Sequence, residues 1–122
     1  MAGRAAVIGA GGGIGRACLD AFAAAGWEAA GADLHAGDGL HPLDVTDPGA
    51  VDTFARQVEA DALVYAAGTV ATMSITQTDF AVWRRVLAVN LDGAAHAAAA
   101  FGRTMIAGGR GGAMVFLSSA AG

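Results

Sequence analysis

Three glycines, Gly9, Gly13 and Gly15, stand in the order G-x-x-x-G-x-G directly after a short apolar run, and Asp33 follows 24 positions after Gly9. These residue types at this spacing suit the binding of a diphosphate and its sugar. Glycines let the turn be tight, let the main chain approach a pyrophosphate, and let a helix pack close to a strand. The helix that starts there points unpaired N–H groups at the negative charge. A carboxylate at the end of the next strand accepts two ribose hydroxyl hydrogens. It also repels a 2′-phosphate, since two like charges about 4 Å apart cost about 4 kcal/mol at an effective dielectric of about 20, before screening. That favours NAD over NADP. The loop is not G-x-G-x-x-G, because Ile14 takes the place of the third glycine, and the G-K-[ST] of a triphosphate-binding loop is absent.

The other reactive side chains carry less by themselves. Ser118 and Ser119 follow an apolar run and suit a turn as well as a reaction. Asn90 falls in mid-helix, where Asn is a poor helix former and suits water. Asp44, close to Thr46 and Pro48, reads as an acid at a helix start. Tyr65, the sole tyrosine, ends an apolar run and reads as packing rather than as an acid. His35, His41 and His96 have no metal-site spacing, so no metal is expected, and His96 reads as helix surface or a partner contact. Cys18 alone excludes a disulfide within the chain and reads as a small core residue. Arg16 reads as solvated.

The elements that must position these residues alternate. Ala5–Ile8 is a continuous apolar run, as in a strand buried on both faces. Ile14, Ala17, Cys18, Ala21, Phe22 and Ala25 recur at helical spacing, and Gly26 suits a left-handed stop. Trp27–Asp33 reads as a second strand, Leu34–Leu43 as a loop or single turn, and Leu43–Val45 as a short third strand. Thr46, Asp47 and Pro48 then start a helix whose apolar face is Val51, Phe54, Ala55 and Val58. Ala62–Ala66 is a fourth strand. Thr76 and Asp79 have the spacing of a capping box, ahead of a long helix over 79–107. Its expected face is Phe80, Trp83, Leu87, Leu91, Ala94, Ala95, Ala98, Phe101 and Met105, and Gly108 and Gly109 end it. Ala113–Leu117 is a fifth strand. This order predicts one α/β domain with a doubly wound parallel sheet.

The 122 residues suffice for one domain, and 55% of them are apolar, so a core forms. Thirty-two alanines and 19 glycines leave few large side chains, so the elements should approach closely. The formal net charge is -4 and Lys is absent, which excludes the basic stripe that nucleic acid needs. No uninterrupted apolar run is long enough for a membrane span. The glycines from Gly9 to Gly15 and the nearby Asp20 make Met1–Ala25 a poor secretory signal. A cytoplasmic location is the expectation.

Five segments in order resemble the short-chain dehydrogenase/reductase family. Gly9-Ala10-Gly11-Gly12-Gly13-Ile14-Gly15 resembles its cofactor loop, with Ile8 in place of the usual Thr. Leu43-Asp44-Val45-Thr46-Asp47 resembles the segment that holds adenine. Tyr65-Ala66-Ala67-Gly68 sits where Asn-Asn-Ala-Gly is usual. Val89-Asn90-Leu91-Asp92-Gly93 resembles the Asn motif of the long helix, and Val115-Phe116-Leu117-Ser118-Ser119-Ala120-Ala121-Gly122 the fifth strand and serine loop.

The resemblance implies a Rossmann-like, three-layer α/β/α domain over 1–122 with about five strands, C-terminally truncated against the family. It implies Ser119 and Asn90 as catalytic residues. Gly9, Gly11, Gly12, Gly13, Ile14, Gly15, Asp33, Leu34, Asp44, Val45, Ala66, Ala67, Gly68 and Asn90 become cofactor-binding residues. The cofactor is NAD, the reaction hydride transfer with a small alcohol or ketone, and the long helix over 79–107 a possible contact between two copies. The family's Tyr-x-x-x-Lys acid is not among these residues, so the 122 residues alone are expected to be inactive. A dinucleotide-binding module without chemistry, or an incomplete gene product, is the alternative.

Overall fold

A computed structural model of the protein describes residues 2–35, 37 and 39–119. The apolar run after the N-terminus forms β1 (Arg4–Ile8), buried from Ala5 onward, and the glycine turn leads into α1 (Gly13–Ala24). Then follow β2 (Glu28–Asp33), β3 (His41–Pro42), α2 (Pro48–Val58) and β4 (Ala62–Tyr65). A 3₁₀ turn (Ile75–Gln77) precedes α3 (Phe80–Leu87), a π-helical turn (Ala88–Asp92), α4 (Gly93–Gly108) and β5 (Ala113–Phe116). The five strands are parallel in the order β3-β2-β1-β4-β5. The chain therefore leaves β1 toward one edge and returns to β4 on its other side, which opens a crevice at the carboxyl ends of β1 and β4. The doubly wound Rossmann-like reading holds.

Each face of the sheet has its own core. On one, α1 lays Cys18, Leu19 and Phe22 over Val7 and Val64. On the other, α2 and α4 cover Ala6, Ile8, Leu63 and Tyr65 with Val51, Phe54, Ala97 and Phe101. Phe54 and Phe101 meet edge to face with ring centroids 6.0 Å apart. In a core with many alanines, these two rings are the largest fully buried side chains. Gly26 takes the expected left-handed conformation (φ +83°) after α1. Asp47 caps α2 through the N–H groups of Gly49 and Ala50, with Pro48 in the first turn.

Three expectations are corrected. The third strand is His41–Pro42, not Leu43–Val45, and it pairs only with Ala32 and Asp33. Pro42 lacks an N–H, which an edge strand tolerates. Leu43 and Val45 turn into the core instead. Thr76 lies in the 3₁₀ turn, while the Asp79 carboxylate itself caps α3, accepting from Ala81 and Val82, so the Thr76–Asp79 capping box does not form.

The long helix is broken by the π turn, and its buried stripe changes. Gly93, Ala97, Ala100, Phe101 and Met105 are buried, Ala94 and Ala98 half-buried, Ala95 exposed. Phe80, Trp83, Leu87 and Leu91 stay largely exposed. One extra residue in a turn advances every later side chain by about 100°, so a single periodicity cannot describe both halves.

At the amino end of the sheet, Asp61 joins three strands. Its N–H donates to Arg4 O (2.7 Å), its carbonyl accepts from Ala113, and its carboxylate accepts from Arg4 N–H and the Arg110 guanidinium, both at 3.0 Å. The Arg4 N–H bond first, then Arg110, holds this carboxyl below its ordinary value. A depressed carboxyl contributes stability that is present above the ordinary value near pH 4 and lost as pH falls through the folded value. Asp61→Asn keeps an acceptor for Arg4 but removes the titration. Its urea midpoint should fall less between pH 5 and pH 2.5 than that of the unmodified protein.

Candidate functional site

The crevice after β1 and β4 is a cleft of about 280 Å³. Gly9 turns the chain out of β1 with φ +86°, and an added Cβ would lie 2.5 Å from the Ala66 carbonyl carbon and overlap Ala67 N. A Cβ on Gly15 would overlap the Gly9 carbonyl. Both glycines are thus required by close approach, one of β1 to β4 and one of α1 to its own turn.

The loop amides divide into two sets. Gly9 and Ala10 N–H both donate to Ala32 O, Gly11 N–H to an Asp33 carboxylate oxygen at 3.0 Å, and Gly12 N–H to Gly9 O. The first three fasten the turn to the end of β2, and the fourth closes the turn on itself. The first helical bond is Arg16 N–H to Gly12 O, so the Gly13, Ile14 and Gly15 amides stand ahead of it and can serve a bound anion.

Asp33 lines the cleft beside the turn, with Leu34 and His35. One carboxylate oxygen is shared with Gly11, and the other accepts from His35 N–H at 3.4 Å. Asp44 and Val45 line the next stretch. The Asp44 carboxylate accepts the Thr46 hydroxyl at 2.7 Å and its N–H at 2.9 Å, and these bonds, with a smaller contribution from Arg85, hold its carboxyl below the ordinary value. His96, expected on the helix surface or at a partner contact, is instead half-buried and bonds the Val45 carbonyl through Nδ1 at 3.1 Å.

Ala66, Ala67 and Gly68 line the third wall, after β4. Asn90 clamps the residue that follows: its Oδ1 accepts Thr69 N–H and its Nδ2 donates to Thr69 O, both at 2.8 Å. Asn90 therefore does not simply face water. Ser119 lies exposed in the segment after β5, and Leu117 N–H still donates to Tyr65 O, so the chain runs on at the same end of the sheet as the cleft. Ala120, Ala121 and Gly122 of the serine segment fall outside the described residues. Tyr65 is buried, and burial pushes its phenol up to about 12, the reverse of what a proton donor near neutral pH requires.

Among the expected cofactor-binding residues, Gly9, Gly12, Asp33, Leu34, Asp44, Val45, Ala66, Ala67 and Gly68 line the cleft. Gly11, Gly13, Ile14, Gly15 and Asn90 stand beside it. Ile8, His35, Leu43, Thr69, Arg85 and Val89 also line it, outside the expected set. Arg85 and Val89 are four apart on one helix, so the Asn90 motif carried a usable signal for both. Among the described residues no cluster of His, Cys, Asp or Glu could hold a metal ion, and no helix is long and apolar enough to cross a membrane.

The family model for short chain dehydrogenase matches residues 4–122. Galactitol 2-dehydrogenase (L-tagatose-forming) of Cereibacter sphaeroides is 42% identical, the match covering 97% of this chain and 53% of the relative. Among solved structures, a short-chain type dehydrogenase/reductase from Mycobacterium marinum superposes with a TM-score of 0.91 at 28% identity, covering 97% of this chain and 56% of that one. The ligand-free aldohexose dehydrogenase of Thermoplasma acidophilum gives 0.86 at 29% identity, covering 94% and 48%. The chain spans about half the length of these relatives.

The crowding at the turn gives a direct test. Gly15→Ala should lower the stability by about 1–3 kcal/mol or more, as overpacking against backbone does. Gly13→Ala, where an added Cβ meets nothing within 4 Å, should change it by less than about 0.5 kcal/mol. Urea unfolding of the two variants checks both.

Proposed function

The chain belongs to the short-chain dehydrogenase family, and on that premise we propose that it is the NAD-binding part of an oxidoreductase acting on an alcohol or ketone. The observation that carries the reading is the divided glycine turn: four amides fixed to the protein, three at the helix start, and a carboxylate bonded to the turn that also lines the cleft. The donor set fits a dinucleotide. The nicotinamide of the bound cofactor supplies or accepts the hydride.

The chain's own residues then have distinct tasks. The Gly13, Ile14 and Gly15 amides hold the diphosphate, and Asp33 accepts the adenosine ribose hydroxyls with the lone pairs that Gly11 and His35 leave. Asp44 and Val45 flank the adenine, while Leu34 and Ala66–Gly68 wall the rest of the cleft. In a complete enzyme of the family, Asn90 would support the proton relay and Ser119 would hydrogen-bond the substrate oxygen. The named polyol and sugar dehydrogenases among the relatives favour a polyhydroxylated substrate.

The 122 residues hold no lysine, and their only tyrosine has its phenol pushed the wrong way for an acid. Binding without turnover by this chain follows. A cytoplasmic location belongs to the same reading. So does pairing of two copies through the helix over 79–107, supported by exposed Phe80, Trp83, Leu87 and Leu91.

Three measurements check these statements. Calorimetric titration should show NAD binding at least about tenfold more tightly than NADP, a difference of ~1.4 kcal/mol, and Asp33→Ala should erase that preference. Equal affinities in the unmodified protein would reject the role of Asp33. A carbonyl-reduction assay on the same sample should show no turnover, and measurable turnover would refute the missing-acid argument. Light scattering at rising concentration should show dimers; a monomer throughout rejects the helix contact.

A further inference from the structure

The irregular turn between α3 and α4 is the turn that carries Asn90. There Gly93 N–H donates five residues back, to Ala88 O. The Val89 carbonyl, which an α-helix would have offered to Gly93, is passed over. A main-chain carbonyl bypassed in this way gains from a donor on a neighbouring element.

Tyr65, the last residue of β4, supplies it: its phenol donates to Val89 O at 2.6 Å. Gly93 makes the room. A Cβ at Gly93 would overlap the Tyr65 hydroxyl and lie 2.8 Å from Val45 Cγ2. One residue beyond the accepting carbonyl, the Asn90 amide makes its paired bonds to Thr69. The strand end, the π turn and the loop after β4 are thus closed into a ring of hydrogen bonds.

We propose that Tyr65 is a positioning residue: its hydroxyl fixes the π turn so that Asn90 holds the Thr69 main chain, and with it the 66–69 wall of the cleft. The consequence for cofactor affinity rests on the dinucleotide reading given above; the coupling from Tyr65 to Thr69 does not. The Tyr65 ring also packs on Phe116 with centroids 6.0 Å apart, a contact that phenylalanine keeps. Tyr65→Phe therefore removes the oxygen and little else. With its phenol pushed up to about 12, Tyr65 remains a donor at every pH at which the fold is expected to persist, so the tie does not switch with pH.

The test is amide hydrogen exchange at Thr69, read by NMR against Val7 in the buried β1, together with NAD titration. Tyr65→Phe, Asn90→Ala and the double variant are compared with the unmodified chain. Tyr65→Phe should speed exchange at Thr69 about fivefold beyond any change at Val7, and weaken NAD binding by a similar factor, the size expected of one net hydrogen bond. The double variant should be no worse than Asn90→Ala, because both act through one contact.

Gly93→Ala, which drives the phenol away from Val89 by bulk, should loosen Thr69 in the same way. Thr69 exchange that rises no more than Val7 in Tyr65→Phe, or effects of Tyr65 and Asn90 that add, would overturn the proposal. Failure of the unmodified chain to bind NAD would reject the dinucleotide reading alone, and the exchange data would still decide the role of Tyr65.

Discussion

Everything in the fold is arranged around the approach of three main-chain segments at the carboxyl end of β1. The Gly9 α-carbon lies against the Ala66–Ala67 peptide, and the Gly15 α-carbon against the Gly9 carbonyl. No side chain fits at either point. The strand, the helix that follows it and the neighbouring β4 therefore share one fixed corner. That corner sets where α1 begins, and so which of its amides face the cleft. The same restraint brings Ala66, Ala67 and Gly68 alongside. An anion site made of backbone needs this rigidity, since amides that had to be gathered at the moment of binding would lose much of their value to ordering entropy.

Much of this was legible from residues alone, and the reasons are local. β1, β4 and the glycine turn announce themselves because buried parallel strands are continuously apolar and because a glycine cluster at a strand-to-helix junction has few other uses. Asp47 with Pro48 marks a helix start by capping chemistry that does not depend on tertiary context. The misplaced elements depend on context. The two residues of β3 are a strand only because β2 offers an edge there, and Leu43 and Val45 look like strand residues because the core takes their side chains. The π turn is invisible to a 3.6-residue period, and it is the reason that Phe80, Trp83, Leu87 and Leu91 do not share a face with Phe101 and Met105.

The site residues follow the same division. Of those read from sequence spacing, Gly9, Gly12 and Asp33 line the cleft, and Gly11, Gly13, Ile14 and Gly15 belong to the same turn and helix start. Those fixed by the fold do not show themselves in sequence. His96 reaches the Val45 carbonyl across 51 residues, and Tyr65 reaches Val89 across 24. In each case a polar tip on an otherwise apolar residue type satisfies a main-chain carbonyl on a neighbouring element. Among the described residues no side-chain nitrogen or oxygen is buried without a partner, so these long-range bonds belong to the same accounting that keeps the rest of the core free of polar debt.

Asp33 shows how a single carboxylate serves both the fold and a ligand. A carboxylate offers about four acceptor sites, and Gly11 and His35 use one on each oxygen. The bond to Gly11 holds the first half of the turn against the end of β2, together with the two amides on Ala32 O. Asp33 also lines the cleft, and its remaining acceptor capacity leaves room for the proposed sugar hydroxyls without displacing either protein bond. The acid is thereby held in place before a ligand arrives, and its charge sits at a fixed point on the wall. In the proposed role, a side chain fixed in this way would gain from hydroxyl donors and lose from a phosphate, because it cannot swing away from the added charge. On that proposal, the bond that holds the turn to β2 is also the bond that fixes the selecting charge.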